Sequence, residues 1–582
     1  MHFNKIFRRY YIYVSIFFVA LYIYYDPSGI RTTQEEKTFK QLELALVDWY
    51  YKYNPTIATK HNIQIYNNEI EKNDATSIEE YNADINRFII ELSQIDQTRL
   101  SSIYLEKYLT IESFLYKTKN DISNFQYHSY DPFYYMQIMY NSLLYIMYNK
   151  ELSDDVKYDA ILNRLRLIPN GIYNIQKNLD YYSEPDIIKT IPLIKRFNYL
   201  VNNLNDADQV FKMDFNQYEL ESISTEVAEV SNALNIFQNY INEDLSRKTK
   251  INKRDYINNY ISYDKEIAAE LDYSRLINEV FMEMFEVSLP LYTLDNDEPV
   301  WVDKQDSIIV INSILRVINK EGQRDTLLVL DSLNNNLLNI EVQNSIQRID
   351  SFGDRILPHS TSRLNHKIYL DHNLYIGDSQ LYGLLTDNSH TYIYIDSNKS
   401  SFIKNKYKLD LYNIRNYFPG RYFQILNSRK PGKSVNNIIL NNYTNFGWGL
   451  FIEELYVREG YGDSDNNFYI VTHLDNLLKL IIKSKMFYCY YIEGKDETEI
   501  LDQISDLSIY DRDEIELFFQ ELIDSPLETN FTIIGYFKLK EIYDKFIVSN
   551  PSSKNSFYDI LLNGSHLSPE LLANFKLIEF YE

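Results

Sequence analysis

Residues 413–454 carry the side chains of this 582-residue chain that are best suited to chemistry. They include the strings NIRNYFPGRYFQ and FGWGLFIEEL. In the first string Arg415 and Arg421 flank a Pro-Gly turn, and the second string contains Glu453 and Glu454. A guanidinium can bind an anion through paired N–H donors, or it can form a salt bridge with a carboxylate of its own chain. The sequence therefore predicts either an anion site around the turn or two internal salt bridges to these glutamates.

The two strings, in this order, resemble the core motifs of a bacterial family catalogued as domain of unknown function 885, a zinc-metallopeptidase-like group. The family motifs are HExxPGHHxQ and, some tens of residues later, EGWAxYAE. Residues 49–63, WYYKYNPTIATKHNI, and residues 164–169, RLRLIP, also resemble family segments. The resemblance implies a mainly α-helical, zincin-related body. The residues that keep the frame of the two core motifs are Pro419, Gly420, Gln424, Gly447, Trp448 and Glu453.

The positions that would do the family's chemistry are replaced. The His-Glu that opens the first motif falls on Arg415 and Asn416, its His-His pair on Arg421 and Tyr422, and the glutamate that opens the second motif on Phe446. A hydrolytic zinc site needs about three imidazole or carboxylate ligands and a carboxylate that accepts a proton from the bound water. Arginine stays positively charged, and asparagine cannot act as a base. We therefore expect no zinc, no other cofactor and no catalytic residue here.

A family segment further downstream is also altered. Its pattern R-x-x-x-D-x-x-x-H falls on Lys483, Phe487 and Tyr491. An active site needs groups with tuned pKa values, and most of these positions no longer offer them. If the former cleft still binds a ligand, the side chains expected to contact it are those of Arg415, Arg421 and Tyr491.

A hydrolase with a relocated or non-zinc site is one alternative. None of the nine histidines stands in an HExxH pattern, and no G-x-S-x-G string is present. The closest histidine cluster is His359, His366 and His372, with Asp371 adjacent. These residues fall on a predicted loop and strand, where side chains at such separations need not converge.

The N-terminus has the layout of a membrane anchor. Three basic residues among the first nine precede a charge-free run at positions 10–25, an arrangement that keeps the basic end in the cytoplasm. No small-x-small cleavage site is evident, and Cys489, the single cysteine, provides no lipobox. An uncleaved transmembrane anchor over residues 1–30 is therefore favoured. The rest of the chain, residues 31–582, is expected to form one body on the extracytoplasmic side of a bacterial inner membrane.

Composition limits the partners. Lys and Arg number 58 against 82 Asp and Glu, which gives a net charge of −24. Nucleic acid is therefore an unfavoured partner. The chain has 54 tyrosines spread along its length. We interpret them as compositional bias, since they do not cluster in one segment that could form an aromatic groove.

Hydrophobic periodicity predicts a mainly α-helical body. Apolar residues between Leu220 and Ile241 alternate spacings of three and four, which is typical of a long helix packed along one seam. Ser153 is expected to cap a helix that Pro169 ends. Between positions 357 and 397 the period changes to two, most clearly in HTYIYID, which predicts a small β element.

Three functions follow from these observations. The first is a catalytically inactive metallopeptidase-like protein of a bacterial cell envelope, which binds a peptide or protein in the former active-site cleft. The second is an active hydrolase, a peptidase with a relocated site. The third is a scaffold without a ligand.

Overall fold

The chain is described from a computed structural model. The predicted anchor at residues 1–30 lies outside the described residues, as do three members of the histidine cluster, His359, Asp371 and His372. No helix within the described part is both long and apolar enough to cross a membrane. The described residues are 33–147, 149, 151–207, 211, 213–243, 245–251, 253–295, 304–321, 335–353, 355–357, 365–370, 382–385, 390–395, 405–429, 434–550 and 553–577.

The described residues are mainly α-helical, which confirms that part of the predicted fold class. The helices are α1 Gln34–Tyr53, α2 Pro55–Lys60, α3 Ala75–Ser93, α4 Ser102–Asn120, α5 Pro132–Met147, α6 Asp154–Asn178, α7 Glu184–Asn202, α8 Gln217–Glu243, α9 Lys253–Tyr263, α10 Tyr273–Asp295, α11 Lys304–Glu321, α12 Asn335–Gly353, α13 Lys406–Asn416, α14 Arg421–Ser428, α15 Asn442–Arg458, α16 Asn466–Phe487, α17 Glu497–Ser505, α18 Arg512–Asp524, α19 Pro526–Ser549, α20 Lys554–Leu562 and α21 Pro569–Leu571.

The predicted β element is confirmed as a three-stranded sheet just before α13. Its order is β3-β5-β4, with β3 parallel and β4 antiparallel to the central strand, and the string HTYIYID supplies that central strand. A separate two-residue parallel pair joins β1 and β2. The strands are β1 Tyr181–Tyr182, β2 Thr249–Lys250, β3 Asn365–Leu370, β4 Tyr382–Leu385 and β5 His390–Ile395.

The buried apolar side chains form three cores. Helices α1, α3 and α4 enclose the first, α5 to α8 the second, and the helices from α9 onward the third. The first core also contains Val435, Ile438 and Ile439, which follow α14 in the chain. The N-terminal helices therefore pack directly against the segment that carries the site residues.

Helix α8 confirms the predicted seam, and α6 corrects one predicted boundary. The apolar residues at three- and four-residue spacing along α8 face the second core. Pro169 does not end α6, which continues to Asn178 with the proline inside it. An interior proline costs about 3 kcal/mol. Burying Ile172 and Ile175 beyond it stabilises the helix by about 1.5–3 kcal/mol each, which is enough to keep the last turns helical.

Candidate functional site

The backbone passes very close to itself at the turn between Arg415 and Arg421. Arg415 lies in the last turn of α13, and Gly420 is the N-cap residue of α14, whose first residue is Arg421. A Cβ atom at Gly420 would lie 2.0 Å from the carbonyl oxygen of Arg415. Only glycine fits that position, so the turn can bring the two arginines together.

Buried hydrogen bonds join the two motif strings. The Trp448 indole Nε1 donates to the carbonyl oxygen of Pro419 at 2.9 Å. The Asn445 amide donates to Gln424 Oε1 at 3.1 Å, and Gln424 Nε2 donates to the carbonyl oxygen of Leu561 at 2.9 Å. These frame residues are therefore structural, since they hold α14 against α15 and α20.

Arg415 is bound by a buried carboxylate. Its Nε donates to Glu453 Oε2 at 2.5 Å and its Nη2 to Glu453 Oε1 at 2.9 Å. The Glu453 side chain is 1% exposed, and it also accepts a hydrogen bond of 2.8 Å from His473 Nδ1. Burial alone would raise the pKa of Glu453, but the Arg415 and His473 side chains hold that pKa below its ordinary value. Arg415 thus forms the internal salt bridge that the sequence left open as an alternative.

Arg421 has a different environment. Its guanidinium carbon lies 3.4 Å from the centroid of the Phe446 ring. Its Nη1 lies 3.5 Å from Asn416 Oδ1 and also 3.5 Å from Glu528 Oε1. Its carboxylate partner is therefore Glu528 of α19 and not Glu453 or Glu454. Glu454 instead accepts from Lys540 Nζ at 2.7 Å and from the Tyr536 hydroxyl at 2.6 Å.

The two predicted tyrosines lie in aromatic surroundings. The Tyr422 ring stacks on Tyr417, with centroids 5.7 Å apart. Tyr491 is 5% exposed, and its ring packs on Phe487 at 4.8 Å and on Tyr490 at 4.9 Å. This position leaves Tyr491 little surface for a ligand.

The structure brings together three of the replaced family positions, Asn416, Arg421 and Phe446. Together they offer an amide, a guanidinium and a phenyl ring, and none of these is a zinc ligand. A fixed positive charge at Arg421 would also repel a cation. Within the described residues, no three His, Cys, Asp or Glu side chains gather closely enough to hold a metal ion. The residues present therefore do not fit zinc.

A second feature is a group of side chains whose charges act on one another, and we call it the tyrosine cleft: Tyr50, Tyr134, Tyr263 and Asp121. Tyr134 exposes 45% of its surface and Tyr263 exposes 40%, yet burial raises the pKa of each to about 12. Burial also raises the pKa of Asp121 to about 6. Each of these two rings therefore meets solvent while its hydroxyl group is shielded by surrounding protein. Sequence reasoning missed this cleft because its members are far apart in the chain.

Aromatic contacts connect the tyrosine cleft to Phe446. The Phe446 ring lies 6.3 Å from Phe531, which lies 5.0 Å from Tyr443. The Tyr443 hydroxyl donates to Asp264 at 2.9 Å, and Asp264 directly follows Tyr263 of the cleft. Side-chain contacts therefore run from Phe446 to Asp264, which follows directly after α9, the helix whose last residue is Tyr263 of the cleft.

Comparison with known proteins places the fold among bacterial structures. No model of a protein family matches the sequence, and no curated protein matches it. A candidate lipoprotein of unknown function from Shewanella oneidensis is 17% identical, with a TM-score of 0.66 over 93% of this chain and 99% of that chain. A candidate lipoprotein from Colwellia psychrerythraea is 11% identical, with a TM-score of 0.73 over 94% of this chain and 100% of that chain. At these identities the likeness shows a shared fold along nearly the whole of each chain.

Proposed function

We propose that this protein is a non-catalytic, zincin-related member of the metallopeptidase-like group that it resembles, and that it binds a peptide or protein in the former active-site cleft. The observation that carries the proposal is the stacking of Arg421 on Phe446, at positions where the family resemblance puts a histidine and a glutamate. A cation–π pair of this kind stabilises the fold by about 0.5–2 kcal/mol and offers no proton acceptor and no metal ligand. The site therefore keeps its framework and lacks the groups needed for hydrolysis.

The tyrosine cleft supports the binding half of the proposal. Tyrosine hydroxyls donate and accept hydrogen bonds, so they suit the amide groups of a peptide, and the rings supply apolar contact area. One face of helix α5 continues beyond the cleft, because Tyr134 and Tyr145 are eleven residues apart and so share one side of the helix. That separation is about 16 Å along the helix axis, enough for four or five extended peptide residues.

The test exposes the purified full-length chain to a degenerate tetrapeptide mixture. Retained peptides are identified by mass spectrometry after equilibrium dialysis, and cleavage is followed by the release of new amino groups. We expect peptides to be retained and none to be cleaved. Tyr134→Ala should weaken retention, whereas Tyr218→Ala, a control at a tyrosine that is 75% exposed, should not.

Each alternative has its own outcome in this experiment. Peptide cleavage would support a hydrolase with a relocated site and refute the non-catalytic proposal. Absence of both retention and cleavage would leave the scaffold as the function.

A bacterial envelope location is part of the proposal. It is supported by the basic and then apolar N-terminal sequence and by the candidate lipoproteins that share the fold. A reporter enzyme fused after Glu582 should be active only outside the cytoplasm. Activity of the fusion inside the cytoplasm would contradict the proposed topology.

A further inference from the structure

A pair of basic side chains lies at the far end of α14 from Arg421. Arg429 is the C-cap residue of α14, and Lys60 is the last residue of α2. Arg429 contacts His61, the residue after Lys60. Burial, and then the nearby charge of Arg429, lower the pKa of Lys60 to about 8. Lys60 Nζ lies 5.5 Å from the centre of the Tyr145 ring. The basic pair thus adjoins the face of α5 that also carries Tyr134 of the tyrosine cleft.

His61 holds Arg429 in place. Arg429 Nη2 lies 2.9 Å from His61 Nε2, and because a guanidinium only donates, Nε2 must accept. His61 is therefore neutral with its proton on Nδ1, where it donates to the Tyr51 hydroxyl oxygen at 3.1 Å. Burial, followed by the charges of Arg429 and Lys60, lowers the pKa of His61 well below its ordinary value, which agrees with the neutral form. His61 is a positioning residue and adds no charge to the pair.

No carboxylate neutralises this pair. Among the described residues, neither Lys60 nor Arg429 forms an ion pair with an acidic side chain, and the buried Arg429 Nε has no hydrogen-bond partner. Glu151 reaches the same turn but accepts from the amide of Asn62. Lys60 and Arg429 are half-buried. Cations that are shielded from water are normally paired, because leaving them unpaired is unfavourable. An anion from outside the chain would supply the missing partner.

Buried hydrogen bonds fix the position of α2. Arg164, which is fully buried, donates from Nη2 to Thr59 Oγ1 at 2.6 Å, and Thr59 Oγ1 in turn donates to Asn67 Oδ1 at 3.1 Å. Thr59 and Arg164 belong to the two upstream strings that resemble family segments. Their contact places Lys60 and His61, the next residues in the chain, against Arg429. The basic pair is thus held by the interior of the fold and is not a chance meeting of surface side chains.

The spacing indicates which anion the pair would take. Arg421 and Arg429 are eight residues apart on one helix, a separation of about 12 Å. Three to four extended peptide residues span this distance at about 3.3 Å each. We propose that Arg429 and Lys60 bind the terminal carboxylate of a peptide that lies in the tyrosine cleft, with the rest of that peptide directed toward Arg421. This inference rests on the proposed function. It specifies that the protein recognises the C-terminal end of the bound peptide.

The test uses one N-acetylated tetrapeptide mixture made in two forms, with a free C-terminal carboxylate and with a C-terminal amide. The full-length chain should bind the carboxylate form about tenfold or more tightly than the amide form, because a charged hydrogen-bonded pair has that effect on affinity. In R429Q and in K60Q the preference should fall strongly, because each variant loses one of the two positive charges that attract the carboxylate. The control R166Q, which replaces an exposed arginine paired with Glu226, should keep the full preference.

The outcomes separate this inference from the proposed function. Equal binding of both forms by the wild-type chain would overturn the carboxylate site and leave peptide binding intact, whereas binding of neither form would overturn both. A preference that persists in both R429Q and K60Q would also overturn the site. If R429Q does not fold, as judged by its melting curve, K60Q decides the question.

Discussion

At the scale of single residues, the two arginines of the replaced site differ in their partners and in how deeply those partners are buried. Arg415 forms a bidentate salt bridge with Glu453, whose side chain is 1% exposed. Arg421 lies on a phenyl ring and approaches Glu528, whose side chain is 38% exposed. Without Arg415, the negative charge of Glu453 would remain buried without its guanidinium partner. Without Arg421, the negative charge of Glu528 would be solvated by water. The two arginines should therefore differ in how much they stabilise the fold.

Alanine substitution of each arginine tests this difference. Arg415→Ala should lower the free energy of unfolding by about 3 kcal/mol, the lower end of the range for breaking a buried pair, because His473 still binds Glu453. Arg421→Ala should lower it by about 1–2 kcal/mol, the sum of a cation–π contact and a partly exposed ion pair. Urea unfolding of the purified variants measures both values.

Arg512→Ala is the control for that experiment, because Arg512 and its partner Asp502 are both about half exposed. It should leave the free energy of unfolding unchanged. A larger loss in Arg421→Ala than in Arg415→Ala would contradict the assignment of Arg415 as the buried partner.

The sequence could predict that Arg415 and Arg421 each need a carboxylate partner. It could identify that partner for Arg415 but not for Arg421. Glu453 lies in the motif string beside Glu454, so its pairing with Arg415 was among the expected contacts. Glu528 is 107 positions from Arg421, and only the packing of α19 on α15 brings it near. Long-range pairs of this kind leave no local pattern in a sequence.

At the scale of elements, the site depends on the crossing of α15 and α19. A Cβ atom at Gly447 would lie 2.4 Å from the carbonyl carbon of Gly535, and one at Gly535 would lie 2.0 Å from the carbonyl oxygen of Tyr443. The backbones of the two helices therefore touch at these glycines. This contact sets the depth at which α19 packs, and with it the position of Glu528 beside Arg421.

Gly447→Ala tests the crossing. The added methyl group meets backbone atoms that cannot move aside locally, so it should lower the free energy of unfolding by about 1–3 kcal/mol. Gly171→Ala is a matched control inside helix α6, because its Cβ would meet only the flexible end of Met139. That control should be neutral or stabilising by up to about 1 kcal/mol, since alanine favours a helix more than glycine does. Equal destabilisation by both changes would show that the close crossing has no special importance.

Element prediction from sequence succeeded where the pattern was long and failed where local and tertiary effects compete. The seam of α8 and the strand HTYIYID have clear periods, and both form as predicted. The predicted end of α6 at Pro169 is wrong, because the local effect of proline was weighed without the burial of the residues that follow it. That burial depends on α8, which is distant in the sequence.

At the scale of the whole molecule, parts that are distant in sequence meet at the site. The first core contains residues that follow α14, and His61 binds Arg429 across 368 positions. The tyrosine cleft is made of residues from α1, α5 and α9 and from the turn after α4. The grouping of Tyr50, Tyr134 and Tyr263 depends on tertiary structure and leaves no local pattern in the sequence.

The zinc content of the purified full-length chain, measured by elemental analysis after expression with zinc in the medium, tests the central claim most directly. Arg421 carries a fixed charge where the resemblance puts a ligand, and Phe446 and Asn416 beside it supply no replacement. We therefore expect no stoichiometric zinc in the wild-type chain. One tightly held zinc per chain would contradict the non-catalytic assignment and would favour a hydrolase with a relocated site.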